Sequence, residues 1–488
     1  MKRRAFIKST AIMVAAAGAS NALKAAQRLQ PEALSGQDQP ESLRGQDQPE
    51  SLRGQDLPES LRGQDLPDGV GEYTSPEVPE GEGKLITSAP MLQNYAETSM
   101  GVAFAVGSLA NGYVLVGEKP DLSDARKVLC GGYRVTAISD KVIQVRLTGL
   151  KPATKYYYKV GADRIHYGGG YDMKVLGNEE DQTIHSFTTA GKDAEAHFCV
   201  INDTHARWKA IDPTFNKLAE LSPSCVIWNG DATNVEETID SQVRIFLDPE
   251  VQRKDYAADT PYLFCPGNHD SRGMANRHME NLWMFRQPEE RDPRDWDLGR
   301  NFAVRMGKVA LIGLDTAEDK MDTNPRFAGL FTSESYRKAQ TVWLKDVLKR
   351  KDISSAPFLV AFCHIPLFDD NPESNPGDIA PDDTDPRYKH DFAIWQRTCA
   401  NLWGPLLDKA GCQLVITAHQ HQYRFDPPAE GRRWAQIVGG GPDFGEKNYP
   451  TVVEGEVKGG KLQVTVHNIR TGQVQETFSF APRKRFRG

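Results

Sequence analysis

No Cys-x-x-Cys pair occurs anywhere in these 488 residues, and the seven cysteines (Cys130, Cys199, Cys225, Cys265, Cys363, Cys399, Cys412) are odd in number and far apart. That excludes a thiolate zinc knuckle and a dense disulfide framework. Cys199, Cys225, Cys265 and Cys363 stand in apolar runs, where a thiol serves as a small hydrophobe. Surplus positive charge is missing too: 59 Lys and Arg against 66 Asp and Glu leave a net charge of −7. A general binder of nucleic acid or anionic membrane needs the opposite balance, so no nucleic-acid partner is expected. Long apolar runs are also absent. Between Lys8 and Lys24 there are 15 uncharged, Ala-rich residues, short of the roughly 20 a spanning helix needs.

What is present at that end reads as an export signal. Lys2, Arg3 and Arg4 precede the apolar stretch Ala11 to Ala19, and small residues follow to Ala22. The run Arg3-Arg4-Ala5-Phe6-Ile7-Lys8 resembles the twin-arginine export motif, with an ordinary secretion signal as the alternative. The expectation is a signal over 1–26, a periplasmic or extracellular protein, and no stable membrane insertion once the signal is removed. From Gly36 the unit GQDQPESLR stands twice, then GQDLPESLR, then GQDLP, preceded by an imperfect copy from Gln30 to Ser35. One Leu and one Pro per nine residues cannot bury a continuous face. Residues 27–85 are therefore expected to be a disordered linker.

Residues 86–190 read as all-β, with Val102, Phe104 and Val106 alternating along one strand and Ile143, Val145 and Leu147 along another. The run Leu150-Lys151-Pro152-Ala153-Thr154-Lys155-Tyr156-Tyr157-Tyr158 resembles the tyrosine corner of fibronectin type III domains, which implies a sandwich whose Tyr hydroxyl returns to the turn backbone. From 194 to 488 strands and helices alternate. Apolar runs at 197–201, 225–228, 262–265, 309–314, 358–362 and 413–417 predict buried strands. Glu334 to Lys351 predicts a helix with Tyr336, Trp343, Leu344, Val347 and Leu348 on its apolar stripe. Later strands are expected at 451–457 and 462–467. The fold class is multi-domain: an all-β sandwich, then an α/β domain of two stacked sheets flanked by helices.

Five polar clusters follow the strands: Asn202-Asp203-Thr204-His205, Gly230-Asp231, Gly267-Asn268-His269-Asp270, Cys363-His364-Ile365-Pro366 and Ala418-His419-Gln420-His421. Loops beyond strand carboxyl ends converge in α/β sheets. Asp203 with His205, and His419 with His421, are spaced i, i+2, which on extended backbone turns both side chains to one face. Nitrogen and oxygen donors without thiolate suit Zn, Fe or Mn rather than a closed structural zinc site. Two Asp, four His and one Asn amide exceed what one tetrahedral ion needs. Two ions sharing one carboxylate would use them all.

The order D-x-H, G-D, G-N-H-[DE], a lone H and G-H-x-H, with Ala418 where the last motif usually has Gly, resembles the calcineurin-like metallophosphoesterase superfamily over roughly residues 195–425, and the β-rich front makes the layout similar to the purple acid phosphatase branch. The resemblance implies a phosphatase or phosphodiesterase for small phosphate esters with two divalent or mixed-valence ions. Asp203, His205 and His421 would hold the first ion; Asn268, His364 and His419 the second; Asp231 would bridge. His269 would sit beside the phosphate, as proton donor or charge stabiliser, with Asn268 as a substrate contact. Apart from the resemblance, Arg272, three residues after His269, is a candidate substrate contact that could fork to a phosphate oxygen, the alternative being a loop arginine in solvent. The implied chemistry is two-metal hydrolysis with in-line attack of an activated water on phosphorus.

The sequence departs from the purple branch at two places. Asn234 stands where that branch carries its tyrosine, and His205 stands where it lacks a histidine, so iron–tyrosinate chemistry is not expected. Arg207 and His278 are weaker neighbours of the motifs, and the acidic, Pro-rich stretch Asp369 to Asp385 reads as a solvated loop at the rim. Two other functions compete: a nucleotide-directed phosphodiesterase or nuclease on the same scaffold, and a non-catalytic surface protein with a vestigial site. The negative charge argues against a nuclease, and the intact ligand set against a vestige.

Overall fold

The computed structural model describes residues 83–130, 139–169, 172–285, 299–327, 329–369, 390–442 and 445–484. The expected signal over 1–26, the repeat linker up to residue 82 and the acidic stretch from residue 370 on lie outside the described residues.

Up to residue 188 the described elements are strands: β1 (Met91–Ala96), β2 (Ser99–Ala105), β3 (Ala110–Gly117), β4 (Arg126–Leu129), β5 (Val142–Leu147), β6 (Lys155–Gly169), β7 (Asp172–Glu180) and β8 (His185–Thr188). Then strands and helices alternate: β9 (His197–Ile201), α1 (Trp208–Leu221), β10 (Cys225–Asn229), α2 (Ile239–Phe246), β11 (Tyr262–Cys265), β12 (Phe302–Met306), β13 (Val309–Leu314), α3 (Ser333–Val347), β14 (Phe358–Cys363), α4 (Asp391–Ala410) and β15 (Leu414–Thr417). The chain closes with β16 (Arg424–Asp426), β17 (Ala435–Val438), β18 (Thr451–Lys458), β19 (Lys461–Asn468) and β20 (Val474–Phe480).

Two large sheets result, in the orders β20-β19-β18-β9-β10-β11-β1-β2-β5 and β12-β13-β14-β15-β17-β16. Strand alternation decides what fills the layers. One face of β9–β11 (Phe198, Val200, Cys225, Ile227, Leu263, Cys265) packs on Val309, Leu311, Phe358, Val360 and Phe362 of the second sheet. The other face (Cys199, Ile201, Val226, Trp228) packs on Ile211, Phe215 and Leu218 of α1. The outer face of the second sheet receives Trp343, Leu344 and Val347 of α3 with Trp403 and Leu407 of α4. The two stacked sheets flanked by helices are thus present. Six cysteines are buried and all seven are free, and burial pushes the Cys225 and Cys363 thiols up, which makes them inert.

Two expectations change. The helix predicted to Lys351 stops at Val347, because Arg350 is extended (φ −54°, ψ 135°) and a separate turn, Lys351–Ser354, follows. Arg350 there pairs with Asp352 and reaches the Ala303 carbonyl. The boundary expected near 190 does not interrupt the sheet: β1 pairs parallel with β11, so β1, β2 and β5 continue the sheet that carries β9 and β10. That pairing covers an edge that β11 would otherwise leave open. The remaining front strands form a five-stranded sheet, β4-β3-β6-β7 with β8 on β6. At the corner after Leu150, the Lys151 N–H donates to the Tyr156 hydroxyl at 2.8 Å.

Candidate metal centre

All five clusters lie just past the carboxyl ends of β9, β10, β11, β14 and β15, and backbone hydrogen bonds stitch the loops together. Asp203 N–H donates to Gly230 O (3.0 Å), His205 N–H to Asp231 O (2.9 Å) and Ala418 N–H to His364 O (2.8 Å). This stitching changes the local geometry from the expected one. The i, i+2 pairs are not extended: φ is +46° at Asp203, +45° at His205, +49° at Asp231, +70° at His419 and +58° at His421. Left-handed backbone at a non-glycine residue costs on the order of 1–3 kcal/mol, and such positions gather at functional sites. Glycine is required beside them. A Cβ on Gly230 (φ +83°) would stand 2.3 Å from His364 Nδ1, and one on Gly267 would stand 2.2 Å from Asp231 Oδ1.

Each carboxylate has one oxygen anchored and the other turned inward. Asp203 Oδ2 accepts from Asn202 Nδ2 (2.7 Å) and from His419 N–H (3.0 Å). Its buried Oδ1 has no hydrogen bond and faces His421 Nε2 at 3.4 Å and His364 Nε2 at 3.8 Å. Asp231 Oδ1 accepts from His269 N–H (2.9 Å), while Oδ2 lies 3.1 Å from His364 Nε2 and 3.6 Å from His205 Nε2. The histidines are oriented from behind. His364 Nδ1 is 3.1 Å from the Asn229 carbonyl, so it carries the hydrogen and leaves Nε2 facing the carboxylates. His205 Nε2 and His421 Nε2 are 3.0 Å apart. His419 Nδ1 is 3.0 Å from Asn268 Oδ1.

Donor atoms of Asp203, His205, Asp231 and His421 lie within 4.8 Å of one another, as do those of Asp231, His364 and His419, and Asp231 belongs to both groups. The electrostatics suit cations. Burial works against ionised Asp231, yet the charge of His364 holds it well below the usual carboxylate range. Burial works against protonated His364, yet Asp231 and Asp203 push it up to about 10. His419 goes the other way, to about 4, through burial and the neighbouring His364. Buried Asp203 Oδ1 and His364 Nε2 lack hydrogen-bond partners, which inside a protein is costly unless an ion takes them. The donor set is nitrogen and oxygen, so two ions of the Zn, Fe or Mn kind fit.

His269 lies over this cluster, its ring 4.8 Å from that of His205. Its Nδ1 is 3.2 Å from the Asn234 carbonyl and its Nε2 is 3.2 Å from Arg272 NH1. Asn234 also places Oδ1 3.3 Å from His205 Nδ1. Arg272 is neither a solvent arginine nor a free phosphate fork. Its Nε and NH2 form a bidentate pair with Glu318 (2.9 and 2.8 Å), and NH2 also reaches Asp319 Oδ1 (3.1 Å). His278 stays apart from the cluster, on the wall of a cavity of about 450 Å³ with Cys130 and Lys141. Asp270 holds loops rather than ions, accepting from Gly267 N–H (2.8 Å) and from Thr233 N–H (2.9 Å). Sequence reasoning missed Glu318, Asp319 and Lys320, which follow β13. The signal was there: β13 was read as a buried strand, and the polar run past its carboxyl end is a sixth case of the pattern.

The sequence model of the calcineurin-like phosphoesterase family matches residues 196–423. No curated protein sequence matches the chain. Among solved structures, the purple acid phosphatase PPD1 from yellow lupin (Lupinus luteus) seeds is similar at TM-score 0.54 and 14% identity, over 81% of this chain and 74% of that one. The structure of PhoD is similar at TM-score 0.55 and 12% identity, over 84% of this chain and 95% of that one. At such identities the likeness is one of fold.

Proposed function

We propose a two-ion centre for this chain, which belongs to the calcineurin-like metallophosphoesterases and is a hydrolase acting on phosphoric esters. Asp203, His205 and His421 would hold one ion, Asn268, His364 and His419 the other, and Asp231 both. The observation that carries this is the pair of half-anchored carboxylates whose inward oxygens converge with histidine nitrogens into two donor groups that share Asp231. Two ions held there supply Lewis acidity and an activated water for in-line displacement at phosphorus. The chain's own residues do the rest. Asn202 and the His419 N–H keep Asp203 turned inward, and Asn229 fixes the tautomer of His364.

His269 is the residue nearest the reacting ester in this reading. Its Nδ1–H is directed at the Asn234 carbonyl and its Nε2 accepts from Arg272, so in this arrangement it has no proton to give a leaving alkoxide. In this arrangement any stabilising charge comes from the Arg272 guanidinium that His269 holds, so we assign His269 the placing of that charge rather than general acid work. With Asn234 against His205, no phenolate belongs to the first ion, and iron-loaded protein should lack the strong visible band of an iron–tyrosinate. The test of the function is metal analysis together with turnover of phosphomonoesters, phosphodiesters and nucleotides. Protein that binds no metal and hydrolyses none of these sinks the reading.

The front strands, with Lys151 N–H on the Tyr156 hydroxyl, support a fibronectin type III-like module that buttresses the catalytic sheet. Export by the twin-arginine route is proposed from Arg3 and Arg4. Changing both to Lys keeps the charge and should trap precursor inside the cell; unchanged export would favour the general route. No described helix is long and apolar enough to cross a membrane.

A further inference from the structure

Outside the five motifs, one carboxylate repeats the pattern of Asp203 and Asp231. Asp319 is buried, and its Oδ1 takes Lys320 Nζ (2.8 Å) and Arg272 NH2 (3.1 Å). Its Oδ2 is turned to His419 Nε2, 4.0 Å away. The segment that carries it is held firmly. The Arg337 guanidinium donates to the carbonyls of Thr316 and Glu318, the Trp395 indole N–H donates to Glu318 O, and Gln340 Oε1 accepts from Asp315 N–H. His419 has little freedom either: Phe392 stacks on its ring at 5.3 Å with 9° between planes.

The two ring nitrogens of His419 therefore meet different partners. Nδ1 is 3.0 Å from Asn268 Oδ1, and buried Nε2 has no hydrogen-bond partner. If Nδ1 carried the hydrogen, a bare Nε2 would confront a carboxylate, lone pair against negative charge. If Nε2 carries it, the carboxylate attracts that N–H. Nδ1 and Asn268 Oδ1 then face each other as two lone pairs 3.0 Å apart, a repulsion that a cation taken by both atoms turns into attraction. A metal-bound histidine usually gives its second ring N–H to a carboxylate or carbonyl in this way.

We propose that Asp319 is the positioning carboxylate of His419, fixing its hydrogen on Nε2 so that Nδ1, beside Asn268 Oδ1, is the atom offered to the second ion. This rests on the two-ion reading above. Asp319 touches no substrate in this role; it acts through His419, as the Asn229 carbonyl acts through His364.

The first measurement needs no variant. Full-chain protein labelled with ¹⁵N-histidine and loaded with zinc should show His419 metal-bound at Nδ1 and protonated at Nε2; coordination through Nε2 overturns the proposal. The second compares Asp319→Ala with Asp319→Asn by calorimetric zinc titration and metal analysis. The Ala variant should bind the second ion roughly 10–100-fold more weakly with the first unchanged, since losing an outer partner of a ligand typically costs that much. The Asn variant, which keeps an acceptor oxygen, should recover most of it. Wild-type affinity in both variants overturns the proposal. Equal loss in both also overturns it, because Asp319 would then be a ligand itself. If the unmutated chain binds a single ion, the two-ion reading is what has failed. Thermal melts confirm folding of both variants, and should the Ala form not fold, the nitrogen shifts of the unmutated protein decide alone.

Discussion

His364 and His421 stand at opposite corners of one cluster and live in different surroundings. The His364 side chain is wholly buried and the His421 side chain keeps 23% of its exposure. Both face Asp203 Oδ1, at 3.8 and 3.4 Å. His364 is backed by the Asn229 carbonyl and raised to about 10, while His421 is raised mainly by Asp203 alone. A sealed ligand must be placed before the ion arrives, because nothing can replace it. An exposed one can be substituted by water. The centre thus combines a fixed half and an adaptable half, with Asp231 common to both.

The strongest way to break the comparison is to remove what the halves share. Asp231→Asn should lose both ions and lower turnover by more than the ~10²–10³-fold that loss of one preorganised stabiliser costs. Metal analysis beside turnover of an aryl phosphate checks this, and a variant with two ions and ordinary rates ends the bridging assignment. His269, above the adaptable half, comes next. General acid help is worth about 10²–10⁴-fold and matters most for poor leaving groups. With Arg272 on its Nε2, His269→Asn should slow alkyl and nitrophenyl phosphates alike; a much larger loss on the alkyl ester restores the acid role.

Separate truncation of the two corners sharpens the contrast. His364→Ala removes the partner of buried carboxylates and should cost about 3–5 kcal/mol of stability. His421→Ala, at a partly exposed pair, should cost under about 1 kcal/mol. Denaturant titration gives the stabilities, and excess zinc should restore activity in the His421 variant only. The smallest effect is a proton. At pH 8 His364, raised to about 10, still carries its second hydrogen in the metal-free chain. Metal loading needs that nitrogen bare, so it should release about one proton. Calorimetry in buffers of different ionisation enthalpy reads it. Release that vanishes in His364→Ala assigns it to the sealed half.

Much of this was legible in the sequence, for physical reasons. Buried strands such as 225–228 and 309–314 announce themselves as unbroken apolar runs, and the polar residues after them fall at one end of the sheets. The ligand types and their order could be read because each motif is short. Backbone conformation at Asp203 and His419 could not. An i, i+2 spacing fits an extended strand as well as a left-handed turn, and only bonds to distant loops choose between them. Arg272 and Glu318 met for the same reason: 46 residues separate them, and neither carries a local signal of the other. Nor did the front block reveal that β1 pairs with β11.

The sheet order has a consequence for how the chain is made. Val200 of β9 is flanked on one side by Val453 of β18, and Gln93 of β1 pairs with Tyr262 of β11. During synthesis the front strands wait for β11, and β9 waits for almost the whole remaining chain before that edge is covered. Contacts so distant along the chain close slowly, and an uncovered edge invites pairing with other molecules. A nascent or truncated chain ending after β15 would hold every proposed ligand but His419 and His421 and still present a bare β9 edge. Fragments cut before Thr451 should therefore aggregate rather than fold.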